Sequence, residues 1–239
     1  MAKSDVRNFK HKLLYEMQRG TYSACDRLPR ETELAELLGI SRTQLRDTLS
    51  ELEREGYITR RHGVGTVINR HVLQVRNRMD IEMEFCDIVR NCGYVPKIRL
   101  VWAGEISADA RVAEKLKIAE GAPVLCKCSV CTADDQPAIC WTDVVDKALV
   151  KRPYTKEDMD TVIFDFLRDF CNVNAYMDLT ELHAVIADEE LAKTLGVAQG
   201  TPLLNMEEVD FDIEGNPIMY SDQYFAEGPI QHTVLRKKL

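Results

Sequence analysis

The stretch that decides the fold is "PRETELAELLGISRTQLRDTLSELEREG", residues 29–56. Leu34, Leu37 and Leu38 fall along one side of a first helix, which Pro29 opens with a fixed φ suited to a first helical turn and Gly39 closes as a C-terminal cap. Only Ile40 intervenes before Ser41 and Gln44, an S-x-x-Q capping box, start a second helix. Leu45, Leu49 and Leu52 give that helix its buried side up to about Glu55, and Gly56 stops it. Two helices joined by so tight a turn predict a helix-turn-helix, whose second helix offers its N-terminal residues to the DNA major groove. Arg42, Thr43, Gln44 and Arg46 stand on those opening turns. Arginine there can pair with guanine edges or phosphates, and Thr43 and Gln44 can reach phosphate or base.

Working outward, Val6, Phe9, Leu13, Leu14 and Met17 lie at helical spacing ahead of Gly20 and predict a preceding helix. On the other side, "YITRRHGVGTVI" (57–68) reads as two short β-prone segments around His62, Gly63, Val64 and Gly65, a hairpin wing. Arg60, Arg61 and His62 place positive charge there, suited to backbone or minor groove. Charge is divided to match: residues 1–70 hold 13 Lys and Arg against 10 Asp and Glu, and the rest hold 18 against 29. Only the first segment suits a polyanion.

The run "RLPRETELAELLGISRTQLRDTLSELEREGYITRRHGVGTVI" closely resembles the winged helix-turn-helix of the GntR family of bacterial repressors, over about residues 5 to 70. The resemblance implies DNA contacts at Arg42, Thr43, Gln44 and Arg46 on the recognition helix, and at His62 and Gly63 on the wing tip, beside Arg61. The family often has a further arginine where this chain has Thr32.

Residues 69–80, "NRHVLQVRNRMD", are polar with little periodicity and predict a linker. The expected division is residues 1–70 for DNA binding, 71–80 as linker and 81–239 for a second domain. In that second part strand-like runs alternate with helices. "ARVAEKLKIAEGAPVLCKCSVCTADDQPAICW" (110–141) parallels "EELAKTLGVAQGTPLLNMEEVDFDIEGNPIMY" (189–220), each a helix, a glycine turn and two strands joined by an acidic turn. Such a repeat predicts an antiparallel sheet with pseudo-symmetric halves.

This arrangement, over roughly residues 80–236, resembles the UTRA effector domain of the HutC subfamily, which shares the chorismate lyase fold. The signatures "LKIAEGAPV" and "LGVAQGTPLL" carry the resemblance. It implies an α+β chain: a winged helix-turn-helix domain, then a chorismate-lyase-like antiparallel sheet with helices. Known effectors of the family include phosphorylated sugars, fatty acids, phosphonates and urocanate. Members binding anions often carry an R-x-R pair before an A-D-G-x-P turn and a glutamate after it. Here the turn is "ADDQP", the pair's positions hold Ser129 and Cys131, and the glutamate's holds Trp141. A serine opening the central helix corresponds to Val162, and a glutamate in the last strand to Met219. Lys127 shares strand parity with Ser129 and Cys131, Arg99 is a second candidate cation, and Tyr224 joins the expected lining. A buried phosphate needs paired cations and convergent donors. Their depletion predicts an effector with a large apolar or aromatic part and at most one anionic group, stacked near Trp141; the alternative is that these side chains pack a core and the ligand lies elsewhere.

Hydrophobic residues at 45% and charged residues at 29% are ordinary for a soluble globular protein. The N-terminus lacks a signal peptide's apolar core, so the expected compartment is the cytoplasm, at the nucleoid when bound to an operator. The eight cysteines then read as reduced thiols. Cys126, Cys128 and Cys131 form C-x-C-x-x-C without a second close-spaced set, and on a strand Cys131 would face away from the other two, so no metal is expected. No cofactor motif is present. His183 and His232 stand alone, and no Ser-His-Asp set or phosphate-cradling glycine loop accompanies them. The sequence therefore predicts a ligand-responsive regulator, a repressor acting as a homodimer on a palindromic operator. The competing reading is a lyase-like enzyme acting on a small carboxylate.

Overall fold

A computed structural model describes residues 2–155 and 157–237; the side chains of residues 1–8, Val6 among them, lie outside the described residues. The chain divides into two units, residues 1–82 with 232–239, and residues 83–231.

The first unit holds α1 (Ala2–Gln18), α2 (Glu31–Leu38), α3 (Arg42–Arg54), the antiparallel hairpin β1 (Ile58–Arg61) and β2 (Gly65–Ile68), and one further helical turn, α4 (Arg70–Leu73). Leu13 and Met17 of α1 meet Leu34 of α2 and Leu45, Leu49 and Leu52 of α3 in a fully buried core that Ile58 and Ile68 close. The capping box forms, with Ser41 Oγ accepting from Gln44 N–H and Gln44 Oε1 accepting from Ser41 N–H. Gly39 takes the left-handed conformation at φ 66°. Two details differ from the sequence reading. Arg30, not Pro29, is the residue at the N-cap of α2, so the proline stands just outside the helix. Leu37 is 63% exposed, and Ala35 takes its place in the core, because residues 34, 35 and 38 share one side of the cylinder and 37 turns away.

Part of the expected linker and the chain's end also belong to this unit. Val72 and Leu73 of α4 are buried, and residues 77–80 pair with the C-terminal tail, which belongs here and not to the second domain expected over 81–239.

The second unit contains α5 (Phe85–Asn91), β3 (Pro96–Ser107), α6 (Ala110–Leu116), β4 (Pro123–Ala133), β5 (Gln136–Asp146), α7 (Ile163–Phe166), β6 (Met177–Ile186), α8 (Glu189–Leu195), β7 (Pro202–Phe211) and β8 (Pro217–Ala226). The strands form one antiparallel sheet in the order β3-β4-β5-β8-β7-β6. Reversal about the central β5–β8 pair exchanges the two halves, as the internal repeat requires. The repeats match in their caps too: Asp109 and Asp188 each accept from the backbone N–H three residues on, both at 2.8 Å, to start α6 and α8. These helices cover one face through Val112, Leu116, Ala192 and Leu195. The other face meets Phe166, Leu167 and Cys171. The segment "MDTVIFDFLRDF" (159–170), whose start the sequence assigns to a central helix, forms a tight turn, the short α7 and a wide π-type turn at Leu167–Cys171. Among the described residues no helix is long and apolar enough to cross a membrane.

Candidate functional site

In the first unit, the capping box leaves the outer side of the first turns of α3 free. Arg42, Thr43 and Arg46 are exposed there, and Gln44 is half-buried with its amide oxygen engaged in the cap. Arg46 Nε lies 3.0 Å from Glu31 Oε2 in an exposed pair, which solvent weakens and a phosphate or guanine can outcompete. Thr32 is exposed on α2. In the wing, Arg61, His62 and Gly63 are exposed, and the turn depends on Gly63 at φ 75° and Gly65 at φ 94°. Arg60 serves the fold instead: its Nε donates to Glu53 at 2.7 Å and its guanidinium to Ser50 Oγ at 3.1 Å, tying β1 to α3. Arg42, Thr43, Arg46, Arg61 and His62 therefore present cations and donors where a polyanion can reach them.

In the second unit, strand register sorts the expected effector residues by face. Ser129 stands opposite Trp141, which stands opposite Gln223, and one step along Lys127 stands opposite Asp143 and Asp143 opposite Ser221. All six are buried on the face away from α6 and α8. Both oxygens of Asp143 are engaged: Oδ1 accepts from Ser221 Oγ at 2.9 Å and Oδ2 from Trp141 Nε1 at 3.0 Å. Burial pushes the Asp143 carboxyl up to about 6, opposed by the Ser221 hydrogen bond, the Lys127 charge and the Trp141 hydrogen bond. Burial likewise holds the Lys127 ammonium below its ordinary value. Lys127 Nζ donates to the carbonyl of Thr161, beside half-exposed Val162 at the start of α7. The Ser129 hydroxyl is fully buried with no hydrogen-bond partner among the described residues, a donor and acceptor open to a ligand. Phe85 of α5 lies against Trp141 with ring centroids 4.4 Å apart. Neighbouring Glu84 is raised above its ordinary value by burial and by Asp87 and Asp165.

Cys131 and Met219 share this face, deep in it, and burial pushes the Cys131 thiol up to about 12, an inert packing group. Two expected residues do not belong here. Arg99 pairs with Val130, so it points to the opposite face and is exposed, because a one-residue step along a strand reverses the side. Tyr224 pairs with Cys140 and packs with Val130 and the α8 residues, its hydroxyl donating to Asp222 at 2.9 Å. Asp143, Ser221, Gln223 and Phe85 were not anticipated. The i, i+2 steps from Trp141 to Asp143 and from Met219 through Ser221 to Gln223 carried the signal for three of them; α5 left no periodic trace long enough to read.

His183 is not alone: on the α6/α8 face it joins Glu181 and Glu207, with ligand atoms all within 4.8 Å of one another. Lys115 Nζ at 2.5 Å from Glu181 and Arg111 at 2.5 Å from Glu207 already balance both carboxylates. Cys126 and Cys128 lie on that face and Cys131 on the other, so the C-x-C-x-x-C run cannot converge on one ion.

A model of the UTRA domain matches residues 91–227, and a model described as bacterial regulatory proteins, gntR family, matches residues 7–68. The HTH-type transcriptional regulator Rv0792c of Mycobacterium tuberculosis is 27% identical over 200 residues, 80% of this chain and 71% of that one. The probable fructoselysine utilization operon transcriptional repressor of Escherichia coli K12 is 24% identical over 236 residues, 96% of this chain and 93% of that one. In fold, the chain is similar to the crystal structure of a possible transcriptional regulator, YydK, of Bacillus subtilis, with TM-score 0.80 and 19% identity over 99% of this chain and 100% of that one.

Proposed function

We infer from the chain's place in the GntR family of bacterial regulatory proteins, to whose UTRA-domain branch it belongs, that it represses transcription as a homodimer on a palindromic operator until a small effector binds. The chain is a ligand-responsive DNA-binding transcriptional regulator and not an enzyme. The observation that carries the DNA-binding half is the exposed set Arg42, Thr43 and Arg46 on a helix whose start the capping box fixes. The repressor sense agrees with the name of the fructoselysine relative. Two-fold symmetry in the protein would match two half-sites. Leu179, Leu182 and Ile186, exposed on the sheet-edge strand β6, support burial of that edge by a second copy.

The effector half rests on the buried row of Lys127, Ser129, Trp141 and Asp143. Lys127 and Asp143 balance one another, so the row holds no surplus positive charge for a phosphate dianion. The reading is an effector with an aromatic or apolar body beside Trp141 and Phe85, one polar end at Ser129 and Lys127, and at most one anionic group. It shifts operator affinity only by its differential affinity for two placements of the DNA-binding units.

A thermal-shift screen of the full chain against sugar phosphates and against aromatic or acyl carboxylates tests this, because a ligand that binds the native state raises its melting temperature. Stabilisation by the second set, lost in Trp141→Ala, is expected. Stabilisation by sugar phosphates alone overturns the effector assignment.

A further inference from the structure

The C-terminal end of α3 is finished by groups from far along the chain. A helix leaves its last four carbonyls without intrahelical partners. Here Gly56 N–H returns to Glu53 O at 3.0 Å and Tyr57 N–H to Leu52 O at 2.9 Å, with Gly56 in the left-handed region at φ 83°. Beyond this local closure, Lys237 Nζ donates to Glu53 O at 2.6 Å and to Arg54 O at 2.7 Å. Arg78 donates to Glu55 O and lies over the Tyr57 ring at 5.1 Å. The tail is itself held: Met79 N–H donates to Thr233 O at 2.8 Å, Thr233 N–H to Asn77 O at 3.2 Å, and Leu235 N–H to Asp80 Oδ1 at 3.4 Å. Leu235 sits so close that a Cβ on residue 56 would fall 2.5 Å from its Cδ2. Gly56 is required by its φ, and the Leu235 side chain of the tail lies against it.

We propose that the C-terminal tail, residues 232–237, and residues 77–80 form a clasp that positions the recognition helix, with Lys237 as its positioning residue. A cation on the last carbonyls opposes the negative end of the helix dipole. Arg78 adds a second cation one residue further on. Glu53, whose carbonyl Lys237 holds, also anchors wing strand β1 through Arg60, so the clasp orders helix and wing together. In sequence, the two clasp segments lie next to the points where the chain leaves this unit, 82–83 and 231–232.

The inference rests on the reading of α3 as the DNA-contacting helix, and the test separates the two. Amide hydrogen exchange of the full chain reports the Glu55, Gly56 and Tyr57 N–H groups, and gel shifts use a duplex recovered from a random pool by selection with that chain. Lys237→Ala is expected to speed exchange at these three amides about five- to tenfold while leaving Leu34 and Leu45 amides unchanged, and Lys237→Arg to restore protection. Truncation after Gln231 is expected to do the same and to weaken duplex binding. Native exchange rates at residues 55–57 in Lys237→Ala overturn the clasp. Arg46→Ala is expected to weaken duplex binding with exchange at 55–57 unchanged; if it leaves binding intact while Lys237→Ala speeds exchange, the clasp stands and the recognition-helix reading falls.

Discussion

Replacing Asp143 by asparagine tests the central electrostatic claim about the effector face. In the folded protein burial pushes this carboxyl up to about 6, against an ordinary value of 3.8. Between those values the native state keeps a proton that the unfolded chain has lost, so stability falls as pH rises through the window, the reverse of a salt-bridged carboxylate. At about 1.4 kcal/mol for each unit, the wild type should lose about 3 kcal/mol of stability from this group between pH about 4 and 6. The variant should lack that slope: its amide can meet both neighbours, the oxygen accepting from Trp141 Nε1 and the NH2 donating to Ser221 Oγ, and its cost is that the buried Lys127 ammonium loses its counter-charge. Glu53, Asp80 and Glu207 titrate below their ordinary values and act in the opposite sense, but all three remain in both proteins and cancel in the difference. The assay is urea unfolding at half-unit steps from pH 4 to 7, followed by tryptophan fluorescence; Trp102 and Trp141 both lie in the second unit and report it alone. A wild-type-minus-variant difference that is flat across the window would refute the assignment of Asp143 as a buried carboxyl protonated near pH 6.

Ser41→Ala removes the acceptor for Gln44 N–H and should cost the first unit about 1 kcal/mol, measured as a lower urea midpoint with unchanged m-value. An unchanged midpoint would mean that water replaces the cap without loss. Arg46→Ala should weaken specific duplex binding by about 1–3 kcal/mol if the guanidinium leaves Glu31 for a base edge, and by less, with a shallower salt slope, if it meets only phosphate. Gel shifts at two salt concentrations separate these outcomes.

Sequence alone determined the local and repetitive features of this protein. Gly39, the Ser41–Gln44 box, the leucines of α3 and the Gly63–Gly65 wing each act within a few residues of themselves, so their spacing sufficed. The two repeats likewise gave the sheet's symmetry, because a unit that occurs twice must bury its apolar face against its own copy. Tertiary structure decided what depends on distant pairing. Arg99 and Tyr224 left the effector face because strand register, set across the sheet, assigns sides that a linear alignment of motifs does not track. Asp143 became notable only once Ser221, 78 residues away, was set against it. The tail's return to Gly56 depends on a contact across 179 residues, which no local period records. Local hydrogen bonds and 3.6- or 2-residue periods are written in neighbouring positions. Which side a polar residue faces, and which far segment caps a helix, follow from chain closure and exist only in the folded molecule.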